Sequence, residues 1–190
     1  MTAALSVRHR DRWTTDDLDA LPEDGVRREL IDGALFVSPS PSYLHQKIAS
    51  RVEGELEAAC PPEWGVVQGV QLRINRYRAV VPDVMVVSAK AAAGWPTSFA
   101  PHEVLLVVEV VSPGSTTMDR ITKPRLYAHA GIPHYWRIET HPTIAIHTHQ
   151  LTHHHTYHPT GRHTDHLHTT EPWPIDLPVA EFSRIARATG

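Results

Sequence analysis

Apolar and polar residues recur with a readable period along most of this chain, and each period predicts an element. TTDDLDALP, from Thr14 to Pro22, predicts a short helix capped by Thr14 or Thr15 with acids in its first turn. In RRELIDGALFV the pair Asp32-Gly33 separates two apolar-rich runs, the signal for a two-residue type I′ hairpin. Leu44, Ile48, Val52 and Leu56 recur every fourth residue, which predicts an amphipathic helix over about 43–59, capped from the serines at 40–42 and ended by Pro61-Pro62.

Three strands are expected next. WGVVQGVQLRI turns Val66, Val70, Leu72 and Ile74 to one face, interrupted by Gln68. VVPDVMVV (80–87) and HEVLLVVEVVSP (102–113) are apolar on both faces apart from Asp83 and Glu109, as central strands covered on both sides are. MDRITKPRLYAHAG predicts a helix ending at Gly131, with Pro124 in its first turn or breaking it. Because a residue before proline is driven from the helical region, Lys123 is expected outside it. HYWRIE and TIAIHTH read as short strands, and WPIDLPVAEF follows. The sum is an α/β or α+β single domain spanning 1–190, with its core at about 28–140 and histidine-rich strands and loops over 141–190.

Composition narrows the function. The chain has 190 residues, 41% of them hydrophobic, and a formal charge of −3. That is enough to build one sizeable core. No apolar run is long enough to cross a membrane, the first residues carry no secretory h-region, and the single cysteine, Cys60, forms no internal disulfide. A cytoplasmic protein is expected. There is no phosphate-binding loop, dinucleotide fingerprint or nucleophile elbow.

The candidate chemistry lies in the two acids that interrupt apolar strands. A carboxylate buried in a strand costs several kcal/mol unless it is paired, hydrogen-bonded or metal-bound. Asp83 and Glu109 would converge if their strands are neighbours, and converging carboxylates are reconciled by a hard divalent cation, for which Mg²⁺ is the natural occupant. A buried ion pair with an arginine is the simpler alternative. Pro82 inside a valine-rich strand marks a distortion that aims Asp83. Lys123 lies shortly beyond Glu109, with Asp119 four residues before it on the same helical face.

PDV at 82–84, a strand ending VVEVVSP, then D-R-x-x-K and LYAHAGIPHYW, resemble the Uma2 family of endonucleases in the PD-(D/E)XK restriction-endonuclease-like superfamily. RRELIDGALFVSPSPSYLHQKIASRVEGEL resembles the same family's opening, so the likeness runs from about Arg28 to Glu139. It implies a restriction-endonuclease-like αβββαβ core, a central mixed sheet flanked by helices, with an N-terminal hairpin and C-terminal strands added. It also implies a catalytic set of Asp83, Glu109, Lys123, Glu29 and His45, with Asp83 and Glu109 holding Mg²⁺ or Mn²⁺. Val111 stands where the superfamily's lysine falls, and Lys123 would replace it from the next helix. His45, at the margin of an apolar stripe, is by residue type more often a packing or capping group. Glu29, just before a hairpin turn, reads equally as a solvated strand acid or a third metal ligand.

The expected reaction is hydrolysis of DNA phosphodiester bonds, leaving a 5′-phosphate and a 3′-hydroxyl, and a homodimer would suit an enzyme that cuts a duplex. Two clusters could contact phosphates: Arg73, Arg76 and Arg78, and Arg120 and Arg125 around Lys123. Each also reads as an ordinary solvated turn or helix face. The alternatives are a non-catalytic nucleic-acid-binding or regulatory domain of the same fold, and a metal-binding protein built on histidine. Ten of the 15 histidines lie between His141 and His168, interspersed with Thr, Asp and Arg. Their bland reading is the polar surface of strands and loops; their sharper one is a Zn²⁺ or Ni²⁺ site from His153–His155 with His158, or from His163, His166 and His168.

Overall fold

Residues 12–188, apart from 23 and 39, are described by the computed structural model of the chain. The Thr14 side chain accepts from Asp17 N while the Asp17 carboxylate accepts from Thr14 N, and this capping box starts α1 (Thr15–Asp19). Strands β1 (Arg28–Ile31) and β2 (Ala34–Val37) form the expected hairpin. Both turn residues have positive φ, 52° at Asp32 and 85° at Gly33, as type I′ requires. Helix α2 (Tyr43–Ala59) is capped by the Ser42 side chain and buries Ile48, Val52 and Leu56.

The next segment departs from expectation. WGVVQGVQLRI is not one strand but two, β3 (Trp64–Gln68) and β4 (Gln71–Asn75), and they belong to different sheets. Gly69 makes the break, with φ of +66°. VVPDVMVV divides likewise into β5 (Arg78–Val80) and β6 (Val84–Ser88). Pro82-Asp83 is the crossing between sheets, which explains a proline inside an apparent strand.

Helix α3 (Ala89–Ala92) and β7 (Ser98–Phe99) lead to β8 (Val104–Val110). A π-turn over Met118–Thr122 runs straight into α4 (Lys123–His129). Lys123 adopts φ −61° and ψ −45°, so it is helical despite the following proline. In the wider π-turn its N–H bonds Met118 O, which relieves the crowding that a proline ring imposes on the preceding helical turn. The chain closes with β9 (His134–Glu139), β10 (Ala145–Leu151), β11 (Tyr157–His163), β12 (Leu167–Thr169), β13 (Ile175–Leu177) and α5 (Val179–Ala188).

A six-stranded mixed sheet has the order β11-β10-β9-β8-β6-β3, with β8 and β9 parallel. A five-stranded sheet has the order β2-β1-β5-β4-β7, and β12 pairs with β13 alone. The elements α2, β3, β6, β8, α4 and β9 therefore follow the αβββαβ order, their four strands lying side by side. The N-terminal hairpin belongs to the second sheet, through β1 and β5.

One face of the larger sheet (Val84, Val86, Leu106, Val108, Trp136) packs on Ile48, Val52 and Leu56 of α2 and on Phe182 of α5. The other face (Met85, Val87, Val107, Tyr135) meets Leu72 and Val80 of the smaller sheet and Leu126 and Tyr127 of α4. Burial on both faces accounts for the unbroken apolar runs of β6 and β8. No described helix is long and apolar enough to cross a membrane.

Candidate active site

The register of β6 with β8, Val84 opposite Val108, sets Asp83 level with Glu109 on neighbouring strands. The hairpin brings Glu29 from β1, the first turn of α2 brings His45, and the start of α4 brings Lys123. All five sequence-predicted residues line one cleft of about 380 Å³. Glu29, Asp83, Glu109, Asp119 and Lys123 are all buried, none more than 6% exposed, so their charges interact in a medium far less screening than water.

Lys123 Nζ lies 3.0 Å from Glu29 Oε1 and 3.0 Å from Glu109 Oε1, with Asp119 Oδ1 at 3.9 Å. Glu29 Oε1 also accepts from Val81 N at 2.9 Å, tying β1 to the residues before the sheet crossing. Glu29 is therefore a buried, paired acid and not a solvated one. Asp83 is engaged on both oxygens: Oδ1 faces Arg27 Nη1 at 3.2 Å, while Oδ2 lies 3.1 Å from His45 Nε2 and accepts from Val110 N at 2.8 Å. His45 thus points its ring at Asp83 and does not merely pack; it reads as neither filler nor cap. Its other ring nitrogen, Nδ1, is buried with no hydrogen-bond partner.

The electrostatics sort these acids. Burial would raise the pKa of Asp83, but the His45 hydrogen bond and the charges of His45, Arg27 and Lys123 outweigh it and hold the carboxyl at about 2. Glu109 goes the other way. Burial pushes it well above the ordinary carboxylate range, Lys123 opposes the shift, and Asp83, Asp119 and Glu29 add to it. Asp119 is raised chiefly by burial. Burial alone would lower Lys123, yet the surrounding Glu109, Glu29, Asp119 and Asp83 raise it, so the ammonium stays charged. Four carboxylates thus share the cleft with two permanent cations, Lys123 and Arg27. That concentration of oxygen donors fits a hard divalent cation.

Several residues at the site were not singled out from sequence. Arg27 faces Asp83 and also donates to Val81 O; it sits two residues before Glu29, so strand alternation was the available signal. Tyr127 donates from its hydroxyl to Glu109 Oε1, and Tyr135 donates to Asp119 O at 2.6 Å. Both lie within LYAHAGIPHYW, where the apolar pattern reads them as core.

The two arginine clusters do not line this cleft. Arg73 pairs with Asp19, Arg78 with Asp32, and Arg120 with Glu139 through two bonds at 2.7 and 2.9 Å. Arg76 stacks toward the Tyr77 ring, and Arg125 lies on α4 outside the cleft lining. The cation that nearness in sequence would not have chosen, Arg27, is the arginine beside Asp83.

A family model described as "Uma2: Putative restriction endonuclease" matches residues 15–182. Among solved structures, the chain is similar to a crystal structure described as a "putative nuclease belonging to DUF820" from Anabaena variabilis. The TM-score is 0.72 at 15% identity, covering 90% of this chain and 97% of that one. No curated protein matches the sequence.

Proposed function

This chain belongs to the Uma2 family, and on that premise we propose that its cleft hydrolyses phosphodiester bonds in DNA as a divalent-metal-dependent endonuclease. The observation that carries the reading is Lys123 Nζ held 3.0 Å from both Glu29 and Glu109 in a buried cleft that also contains Asp83. A structural ion pair needs one acid; here four acids and two cations gather at the end of two neighbouring strands.

Asp83 and Glu109 would hold Mg²⁺ or Mn²⁺. When bound, such an ion lowers the pKa of water and offsets charge on the phosphate oxygens. Asp83 stays ionised at any working pH because Arg27 and His45 hold it so. Glu109, pushed upward by burial and its acidic neighbours, is the carboxyl with most to gain from added positive charge. Lys123 has three donors, of which Glu29 and Glu109 take two, leaving one for a phosphate oxygen or the attacking water. As hydrolysis proceeds, the water oxygen bonds to phosphorus, the bond to the 3′ oxygen breaks, and a proton passes to that oxygen. Lys123 and Arg27 offset the charge that builds on the phosphate. The products are a 5′-phosphate and a 3′-hydroxyl. The single cysteine suits work in the reducing cytoplasm, and duplex cleavage by one site per chain suits a homodimer.

Supercoiled plasmid incubated with the protein and Mg²⁺ or Mn²⁺ should be nicked, and EDTA should abolish nicking. A second reading, a nucleic-acid-binding domain without catalysis, draws on Asp83 being engaged on both oxygens. Plasmid binding without cleavage under any divalent metal would favour it.

A further inference from the structure

We infer that His166, His168 and Asp176 form a separate site for a borderline transition-metal ion such as Zn²⁺, a clamp across the β12–β13 ribbon. The histidine tract left this question open in the sequence, because no ligand spacing repeats there. The fold answers it by pairing: in the ribbon register, His168 stands opposite Asp176. Strand alternation puts His166 on the same side as His168 and turns Leu167 inward.

Asp176 Oδ1 lies 2.6 Å from His166 Nδ1 and 3.2 Å from His168 Nδ1, and the two rings stack with centroids 4.4 Å apart. The three ligand atoms all lie within 4.8 Å of one another. Ligands on a tetrahedral ion with bonds of about 2.0–2.1 Å stand about 3.4 Å apart, so small side-chain rotations admit the ion. Among the described residues, no other trio of histidine, cysteine or acid brings its ligand atoms so close.

The donor set selects the metal. Two imidazoles and one carboxylate suit Zn²⁺, Ni²⁺ or Cu²⁺, whereas the oxygen-rich cleft suits Mg²⁺ or Mn²⁺. All three ligands are on the surface, which leaves the remaining coordination position to water. The ribbon is also a place where a clamp matters. Each strand has three residues, and an isolated two-stranded hairpin is marginal by itself. Its inner residues Leu167, Ile175 and Leu177 are buried in the core that includes α2 and Phe182 of α5. An ion bridging the outer face would hold those residues in place without touching the cleft.

The test is Zn²⁺ titration of the full chain in competition with a chromophoric chelator, in excess Mg²⁺ so that the cleft is saturated. The wild type should show a tightest Zn²⁺ site that is weakened at least about tenfold by His168→Ala or by Asp176→Asn. A His153→Ala/His154→Ala control should leave it unmoved. Co²⁺ in place of Zn²⁺ should give the intense visible bands of a low-coordinate site in the wild type and lose them in Asp176→Asn. Both ribbon variants change surface residues, so folding is not at stake. Unchanged Zn²⁺ affinity in the ribbon variants, loss of the site in the control instead, or Co²⁺ spectra of octahedral type in the wild type would each overturn the inference.

Discussion

Lys123 Nζ lies 3.0 Å from Glu109 Oε1, although one residue opens α4 and the other sits near the end of β8. The π-turn that lets Lys123 precede Pro124 in helical conformation is what brings the ammonium to the strand end. Charge placed this way stabilises a cleft whose acids would otherwise have only Arg27 and His45 as partners.

Removing Lys123 should therefore be costly. Lys123→Met leaves Glu109, Glu29 and Asp119 buried without their common partner, and the expected loss is about 3–5 kcal/mol, the range for breaking a buried ion pair. Urea unfolding measures it. Adding Glu109→Gln should recover part of that loss, since one uncompensated carboxylate is then gone.

Stability should also carry the signature of the shifted acids. Glu109 binds its proton more tightly folded than unfolded, where its ordinary value is 4.5. Its contribution is therefore favourable at low pH and declines as pH rises above 4.5, and Asp119 acts in the same sense. Asp83 works oppositely: with a folded value of about 2 against 3.8, it stabilises above 3.8 and that contribution is lost as pH falls toward 2. Denaturation curves at successive pH values should show wild-type stability falling relative to Glu109→Gln as pH rises above 4.5. Adding Mg²⁺ should raise the wild-type melting temperature most at the alkaline end.

Tyr127 offers a milder probe. Its hydroxyl donates to Glu109, and burial together with Glu109 raises its pKa so that it remains a donor. Tyr127→Phe should lose about 1–3 kcal/mol, the usual cost of leaving a buried acceptor without its donor. Chemical denaturation checks this, and the same variant should bind Mg²⁺ with altered affinity because Glu109 is freed.

Arg27 and the surface arginines should behave differently. Arg73, Arg78 and Arg120 are paired with Asp19, Asp32 and Glu139 away from the cleft. Replacing any of them with alanine should change stability by about 1 kcal/mol or less and leave plasmid cleavage intact. Arg27→Ala removes the guanidinium beside Asp83 and should lower cleavage by about tenfold or more. Initial nicking rates compare the set.

Much of this was legible because strong local patterns produced it. The four-residue stripe of α2 and the Asp32-Gly33 turn are local, and both appear where the pattern places them. Asp83 and Glu109 stood out because apolar strands rarely tolerate acids. The division into two sheets was hidden, since alternation at Gln68-Gly69-Val70 and at Val81-Pro82-Asp83 describes a strand without saying which sheet receives it. Arg27 was hidden for a related reason. At the start of a strand it resembles its neighbour Arg28, which pairs with Asp24 at the surface, and only the packing of one sheet on the other separates them. The ribbon cluster depends on which residue stands opposite His168, and sequence does not carry that pairing.

The cleft itself is tested most directly by nicking of supercoiled plasmid in Mg²⁺ or Mn²⁺ by the wild type and by Asp83→Asn, with circular dichroism and melting confirming that the variant is folded. Asp83 in the proposed role predicts metal-dependent nicking by the wild type and a folded variant that binds DNA but does not cut it. Nicking by Asp83→Asn at the wild-type rate would contradict the assignment of this cleft as the nuclease centre.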